Sequence, residues 1–361
     1  MNKPDSGFYR MIDANADRTA EGLRVIGDIT RFLLNDPALS ATWRSIRSEL
    51  WAILGSVPGL LERGLQNRDS GGDVGREFQA APHADIPQMA KTNIHRAQES
   101  LRVLEESMRS LDSATVPRLS SLRYRCYEAE PLTIQALDQW SLARKLDFGL
   151  YVVLGQEFSH GRDFLEVTQK AIAGGAGAIQ LRAKDTPKRE ILDWARRLRD
   201  LTRQQGVTFI INDHLDIALA VEADGVHLGQ EDFPIREARR IVGPAMILGA
   251  STHSIEEAQA AVADGASYIN IGPIFKTGTK KNVMDPVGVE LIPQVTSVVS
   301  LPYTVMGGIK LDNVDAVLRK GARRIAVVTA VVAAEDITLA ARQFSEKIDR
   351  YRQQNPSTQI P

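Results

Sequence analysis

From about residue 147 onward, short apolar runs alternate with longer amphipathic stretches. The runs are rich in β-branched residues and are bounded by turn-forming residues, which favours strands. The stretches between them repeat their apolar residues with helical periodicity. The predicted strands cover residues 148–154, 178–182, 208–212, 225–229, 246–251, 268–274, 302–308 and 324–330. The pattern therefore predicts eight consecutive strand–helix units.

Eight such units over roughly 200 residues fit the lower size range of a TIM (β/α)8 barrel. A doubly wound open sheet is the structural alternative, but that fold usually has fewer strands and a glycine-rich fingerprint after the first one. The segment after the first predicted strand reads GQEFSHGRD (155–163), which is not that fingerprint. We therefore expect an α/β protein with a TIM barrel over residues 141–361.

Residues 1–140 show helical periodicity and no comparable strand pattern. Helices are predicted over residues 10–34, 38–57, 89–111 and 118–140. Since 361 residues exceed the usual length of one domain, a separate, mostly α-helical domain is expected before the barrel.

The helical part contains an internal repeat at an offset of 78 residues. Asn15, Arg18, Glu21, Leu23, Arg24 and Val25 recur as Asn93, Arg96, Glu99, Leu101, Arg102 and Val103. One interpretation is an interhelical hydrogen-bond network, because buried polar groups need partners. The other is a site with two-fold-like symmetry near the loop RDSGGDVGR (68–76), whose backbone amides could receive phosphate. We favour the network, because structural networks outnumber active sites.

Charge and composition exclude several classes of partner. Lys and Arg number 44 against 45 Asp and Glu, so no net field attracts the chain to nucleic acid or to an anionic membrane. The longest apolar run, residues 325–334, is far shorter than the ~20 residues that span a bilayer. The single cysteine and the charged N-terminus indicate a cytoplasmic protein. The sequence is compatible with a homo-oligomer but does not set its copy number.

Polar residues close most of the predicted strands. In a TIM barrel the active site lies at the C-terminal ends of the strands. The residues at those ends are Gln180, Leu181, Arg182, Ala183 and Lys184; Asn212 and Asp213; Asp232; Ser251; Thr277, Gly278, Thr279 and Lys280; Gly307 and Gly308; and Val328 and Thr329. We therefore expect a polar site at the mouth of the barrel.

Asp213 and Asp232 follow consecutive predicted strands. Such carboxylates commonly bind Mg²⁺ together with substrate phosphate oxygens. Each aspartate alone is better explained as a helix N-cap. With Arg182, Lys184 and Lys280 on the same rim, the pattern favours a magnesium and diphosphate site.

The loops after the seventh and eighth strands often bind phosphate through backbone amides in TIM barrels. Gly307, Gly308 and the turn at Val328 and Thr329 occupy those positions. Tight helix–strand packing is the alternative explanation for the glycine pair, and it is compatible with phosphate binding. His227 and His253 lack an obvious nucleophile partner, so we assign neither a role.

Five segments in this order resemble thiamine-phosphate synthases: QLRAK (180–184), INDHLDIALAVEADGVHLGQED (211–232), ILGASTHS (247–254), GPIFKTGTK (272–280) and MGGI (306–309). The resemblance covers about residues 148–340. It implies a TIM barrel that joins a hydroxymethylpyrimidine diphosphate to a thiazole phosphate, using Mg²⁺ and releasing diphosphate.

The resemblance also implies roles for single residues. The pyrimidine diphosphate would contact Gln180, Arg182, Lys184, Asn212, Ser251 and Lys280, of which Arg182, Lys184, Ser251 and Lys280 are the expected catalytic residues. The thiazole phosphate would contact Thr277, Thr279, Gly308 and the backbone of Val328 and Thr329, while Leu181, Ala183 and Gly278 belong to the same binding segments. Asp213 and Asp232 would hold Mg²⁺. Ala183 stands where an acidic residue is common, and Thr329 where serine is usual.

The helical region resembles an extension found on some thiamine-phosphate synthases, through LRVLEE (101–106) and LRYRCYEAE (122–130). This implies a hydroxymethylpyrimidine-phosphate kinase-like activity, although the region has no Walker A loop. An interaction or assembly role is the alternative. For the barrel, the alternatives are a thiazole tautomerase and a non-catalytic protein that binds thiazole phosphate.

Overall fold

The computed structural model describes residues 6–69, 71–73, 81–278 and 285–356. The chain forms two compact units, Met1–Trp140 and Ser141–Pro361. The helices that begin in the first unit are α1 (Ser6–Asp28), α2 (Pro37–Gly55), α3 (Leu60–Gln66), α4 (Ile86–Leu111) and α5 (Val116–Lys145), and a π-helical turn (Ile29–Leu33) extends α1. Within the described ranges, no helix has the length and hydrophobicity to cross a membrane.

The apolar faces of these helices form one main core in the first unit. Trp43 is fully buried there, and its indole N–H donates to the hydroxyl of Thr133 over 3.0 Å. Helix α2 begins where Asp36 accepts hydrogen bonds from two backbone amides and Pro37 follows at the first helical position. Local capping and burial therefore agree on this helical arrangement.

Helices α1 and α4, which carry the internal repeat, pack closely together. A Cβ atom on Gly22 would lie 2.8 Å from the carbonyl oxygen of Asn93, so glycine permits the close approach. The amides of Asn15 and Asn93 each donate to the carbonyl four residues earlier in their own helix, over 2.8 Å. The expected interhelical network is therefore wrong for these two amides. The loop proposed as the alternative site lies partly outside the described residues.

The second unit is a closed barrel of eight parallel strands in sequential order, which confirms the predicted fold. Its strands are β1 (Leu150–Gly155), β2 (Ala176–Arg182), β3 (Thr208–Asn212), β4 (Gly225–Leu228), β5 (Ile247–Thr252), β6 (Tyr268–Ile271), β7 (Tyr303–Val305) and β8 (Ile325–Val327). Its helices are α6 (Phe164–Ala173), α7 (Lys188–Gln205), α8 (Leu215–Ala220), α9 (Ile235–Val242), α10 (Ile255–Ala263), α11 (Leu291–Thr296), α12 (Val314–Arg319), α13 (Thr329–Val332) and α14 (Ile337–Gln354), and a 3-10 turn (Gln156–Phe158) follows β1.

Alternate residues of each strand belong to different cores, because successive side chains point to opposite faces. Ile179 and Phe209 belong to the large apolar layer that the surrounding helices cover. Tyr151, Ala178 and Tyr268 belong to a second cluster inside the barrel. On each strand, the inward-facing residue nearest the C-terminal end therefore points into the mouth of the barrel.

The last three strands are shorter than predicted. Strand β6 ends at Ile271 and β7 ends at Val305, so residues 272–274 and 306–308 form loops. Two backbone hydrogen bonds join these loops, from Ile274 N–H to Met306 O (2.8 Å) and from Phe275 N–H to Gly307 O (2.9 Å). The loop after β6 is thus held against the loop after β7.

Gly308 is required by both its conformation and its surroundings. Its φ is 63°, and an added Cβ would lie 2.5 Å from the carbonyl oxygen of Lys276. We expect Gly308→Ala to destabilise the barrel by about 1–3 kcal/mol, because it adds a left-handed alanine and a backbone clash. Calorimetric unfolding of the full chain measures the effect.

Gly278→Ala is the matched control, since Gly278 lies in the adjoining loop, does not have a positive φ, and its added Cβ would have no other described atom within 4 Å. Equal shifts in the unfolding temperature for the two variants would contradict the explanation.

Candidate active site

A cavity opens at the C-terminal mouth of the barrel. Each of the eight strands, or the loop that follows it, contributes at least one residue to the lining. Eight of the predicted residues line it: Gln180, Arg182, Lys184, Asn212, Asp213, Asp232, Ser251 and Val328. The other lining residues are Val153, Phe158, His227, Gly229, Asn270 and Met306. The closed barrel therefore brings together residues that are up to 175 positions apart in the sequence, from Val153 to Val328.

Two basic side chains on the rim are held by carboxylates. Arg182 is largely buried and donates from Nη1 to Oε1 of Glu157 over 2.7 Å. Lys184 is half exposed, and its Nζ lies 3.3 Å from Oδ2 of Asp213. Arg182 is thus oriented before any anion binds, while the exposed Lys184 head group can turn toward one.

Asp213 and Asp232 form the acidic part of the cavity. The two carboxyl groups lie close enough for each to shift the pKa of the other. Burial and the neighbouring Asp232 raise the pKa of Asp213 to about 6, although the Lys184 ammonium opposes the shift. Burial alone would raise the pKa of Asp232, but hydrogen bonds from Asp213 and the Gly229 N–H help to lower it. The pair therefore holds a proton more readily than two separate carboxylates would.

The backbone fixes both aspartates. Asp213 adopts a φ of 63°, a left-handed conformation that Asp and Asn tolerate better than most side chains. Its N–H donates to the carbonyl of His227 over 2.9 Å, which ties the end of β3 to β4. Asp232 accepts from the Gly229 N–H over 2.7 Å, and a Cβ on Gly229 would crowd that carboxylate. The two carboxylates are held together despite their repulsion.

The donor set fits a divalent cation bound partly by substrate. Two hard carboxylate groups held this close can bind Mg²⁺, whose charge offsets their mutual repulsion. Among the described residues, no group of three or more His, Cys, Asp or Glu side chains could hold a metal. The remaining ligands would therefore be phosphate oxygens and water, as Mg²⁺ commonly prefers.

The other predicted residues lie outside the cavity lining or outside the described ranges. Thr277 is half-buried and Gly278 is exposed on the loop after β6, and Thr329 is exposed at the start of α13. The side chains of Leu181 and Ala183 pack in the apolar layer between the strands and the surrounding helices. Only the backbone of these two residues can therefore reach the rim of the barrel. Thr279 and Lys280 lie outside the described residues.

Several lining or supporting residues were missed in the sequence analysis. Inside the barrel, Tyr151 and Tyr268 hydrogen bond to lining side chains, and His227 and Asn270 line the cavity directly. The period-2 alternation that identified Gln180 and Arg182 also directs these four residues inward, so that signal could have found them. Glu157 lies on a 3-10 turn, and no sequence periodicity indicates its ion pair with Arg182.

Comparisons with known proteins identify families that match both units of the chain. Residues 150–331 match the family model described as thiamine monophosphate synthase, and residues 10–131 match the ThiD2 family. A solved thiamine phosphate pyrophosphorylase from Pyrococcus furiosus is 38% identical with a TM-score of 0.53, covering 58% of this chain and 98% of that one.

Two curated relatives extend the likeness over both units, and a third matches little more than half of the chain. The thiamine-phosphate synthase of Prochlorococcus marinus is 35% identical over 96% of this chain and 98% of its own length. That of Gloeobacter violaceus is 38% identical over 94% of this chain and 97% of its own length. That of Halalkalibacterium halodurans is 48% identical over 56% of this chain and 97% of its own length. The chain therefore belongs to the thiamine-phosphate synthase family and carries the helical N-terminal extension found on some members.

Proposed function

We propose that the barrel joins 4-amino-5-hydroxymethyl-2-methylpyrimidine diphosphate to 4-methyl-5-(2-phosphoethyl)thiazole, forming thiamine phosphate and diphosphate. The observation that supports this most is one cavity that combines a paired carboxylate site with Arg182 and Lys184. A diphosphate leaving group needs both a divalent cation and basic donors. A thiazole tautomerase would need neither.

Asp213 and Asp232 would hold Mg²⁺, which neutralises charge on the departing diphosphate when it is bound. Arg182 donates to the same leaving group from a fixed position, and Lys184 turns toward it from the rim. Lys280, assigned from the sequence, adds a third cation. The carbon–oxygen bond to the pyrimidine methylene breaks with its electron pair on diphosphate, and the thiazole nitrogen then bonds to that carbon. Electrostatic stabilisation therefore supplies most of the catalysis.

Ring recognition is assigned to Gln180, Asn212 and Ser251 in the interior part of the cavity. Gln180 and Ser251 are almost fully buried, whereas Lys184 is half exposed. This gradient suits a substrate whose neutral ring enters first and whose diphosphate stays at the charged rim. Thr277, Thr279, Gly308 and the backbone of Val328 and Thr329 would hold the thiazole phosphate beside it.

A second function is proposed for the helical unit, which would transfer a phosphate from ATP to hydroxymethylpyrimidine phosphate and so supply the barrel's substrate. A cavity in this unit is lined by His95, Gln98, Glu99, Arg102 and Tyr127. Glu99 and Arg102 belong to the internal repeat, and Glu130 accepts hydrogen bonds from His95 and Gln98. The cavity thus combines cationic, acidic and aromatic groups suited to a phosphorylated ring.

The main test supplies the full chain with both substrates and measures diphosphate release. Release should require both substrates and Mg²⁺. Lys280→Ala should lower the turnover rate with a smaller effect on thiazole-phosphate binding, because the lysine acts on the leaving group. Unchanged turnover would remove Lys280 from that role. Thiazole-phosphate binding without diphosphate release would favour the tautomerase or the non-catalytic binding protein.

The carboxylate pair predicts a pH-dependent stability change in Asp213→Asn. The pKa of Asp213 rises from an ordinary value near 4 to about 6 on folding. Its ionisation therefore destabilises the folded state increasingly as the pH rises from about 4 to 6, and by a constant amount above pH 6. Asparagine removes that charge and tolerates the left-handed backbone. In metal-free buffer the variant should melt at a higher temperature than wild type above pH 6, with the advantage fading toward pH 4. Thermal melts across this range measure the difference.

Asp216→Asn is the control with the opposite sign, because a hydrogen bond from Lys188 lowers the pKa of Asp216. That variant should melt no higher than wild type near neutral pH. Mg²⁺ should raise the melting temperature of wild type more than that of Asp213→Asn. An Asp213→Asn advantage that does not change with pH would contradict the carboxylate explanation.

The helical unit is tested in the full chain with ATP and hydroxymethylpyrimidine phosphate, by measuring the pyrimidine diphosphate and ADP formed. Arg102→Ala should reduce product formation, because it removes a cation from the cavity. Arg24→Ala is the matched control, since Arg24 occupies the equivalent position of the repeat and is exposed on α1. No product from the wild-type chain would instead favour an interaction or assembly role.

A further inference from the structure

Five side chains form a continuous hydrogen-bonded path through the barrel interior, here called the buried relay. Gln180 Nε2 donates to Tyr151 Oη over 2.7 Å, and Tyr151 Oη lies 3.2 Å from Tyr268 Oη. Tyr268 Oη lies 2.9 Å from His227 Nδ1, and His227 Nε2 lies 3.0 Å from Ser251 Oγ. Each of the five residues is at most 8% exposed. The relay thus links two proposed ring-binding residues, Gln180 on β2 and Ser251 on β5, which lie on strands that are not neighbours.

The directions of these hydrogen bonds depend on one another. In the proposed relay His227 is a neutral imidazole, so it and each hydroxyl have one proton to donate along the path. Because Tyr151 accepts from Gln180, it donates to Tyr268, which donates to Nδ1 of His227. His227 then carries its proton on Nε2 and donates to Ser251. The hydroxyl proton of Ser251 is left to point into the cavity.

Rotation of the Gln180 amide by half a turn would reverse every bond in the path. Ser251 would then donate to His227 and offer only a lone pair to the cavity. A break in direction at any point would leave two protons or two lone pairs facing each other in a dry interior, which is costly. The relay therefore has two low-energy states. The orientation of the Gln180 amide and the direction of the Ser251 hydroxyl change together between them.

We propose that Tyr151, Tyr268 and His227 are positioning residues that make Ser251 a hydrogen-bond donor when Gln180 presents its carbonyl oxygen to the cavity. This pairing of one acceptor with one donor matches a heteroaromatic ring that has an amino group beside a ring nitrogen. The inference rests on the proposed contacts of Gln180 and Ser251 with the pyrimidine, and it assigns the three buried residues a role in orienting it.

Gly249 provides independent support for the relay. A Cβ at this position would lie 2.4 Å from the Tyr268 ring and 2.6 Å from Nδ1 of His227. Gly249 does not have a positive φ, so backbone conformation does not require glycine there. What its missing side chain provides is room for the contact between Tyr268 and His227. The absence of a side chain on this strand residue therefore leaves room for the third of the four hydrogen bonds of the relay.

Kinetics test the relay through Tyr268→Phe, which deletes one hydroxyl and keeps the ring. Turnover should fall about tenfold, the size expected for one lost hydrogen bond in the transition state. Ser251→Ala should be costly in wild type but should add little in the Tyr268→Phe background, because the oriented hydroxyl is already lost. Tyr303→Phe is the matched control, since Tyr303 on β7 donates to the carbonyl of Gly321 and is not part of the relay. Its turnover should equal that of wild type.

The tautomer of His227 is a readout that a purely structural role would not move. In protein labelled with ¹⁵N-histidine, wild-type His227 should be protonated mainly on Nε2. Gln180→Glu replaces the donor at the start of the relay with a carboxylate that accepts from Tyr151, so it should reverse the path and move the His227 proton to Nδ1. Tyr268→Phe interrupts the path, so in that background Gln180→Glu should leave the tautomer unchanged; Tyr151→Phe serves as the interruption if Tyr268→Phe does not fold. A proton that stays on Nε2 in Gln180→Glu would overturn the proposal.

The outcomes separate this inference from the proposed function. If Ser251→Ala is as active as wild type, the assignment of Ser251 to the ring is wrong and the relay loses its role. If Ser251→Ala is impaired while Tyr268→Phe behaves like Tyr303→Phe, the binding assignment stands and the relay alone fails. Additive effects of Ser251→Ala and Tyr268→Phe would likewise overturn the relay.

Discussion

The interior of a closed eight-stranded barrel must be filled by side chains from its own strands, and this constraint governs the whole second unit. Every inward position serves either the packed core or the cavity above it. Ala178, Ile210 and Ile247 fill the interior with apolar groups. Two residues further along β2 and β3, the inward side chains are Gln180 and Asn212, which line the cavity. On these two strands, the change from packed core to cavity therefore occurs within two residues.

Polar groups so near a dry core must satisfy one another. The two tyrosines inside the barrel do so through hydroxyl groups that join residues of the cavity, while their rings remain in the apolar cluster. At the rim the opposite condition holds, because Asp213 and Asp232 are kept close at an electrostatic cost. A site that is satisfied in its interior and repulsive at its rim suits the proposed binding of a neutral ring inside and of a cation with phosphates outside.

Much of this architecture follows from local sequence pattern. The alternation of short apolar runs and amphipathic stretches predicted the eight strands, and the rule for active sites in TIM barrels directed attention to eight of the lining residues. The ends of β6 and β7 were predicted too far along the chain, because Gly–Pro and Gly–Gly pairs turn the backbone where the apolar pattern still continues. Asn15 and Asn93 were misjudged because their hydrogen bonds stay within their helices.

The contacts among the two buried tyrosines and His227 escaped prediction because they cross the barrel. Tyr151 is on β1, Tyr268 on β6 and His227 on β4, so their pairing depends on barrel closure and on side-chain length rather than on neighbouring strand register. Gly249 shows the same limit, because its small size matters only in relation to two rings from other strands. Periodicity can say that such residues face inward. Which of them touch is decided by the width of the closed barrel, and in the proposed relay that width lets a side chain on β2 orient one on β5 without direct contact.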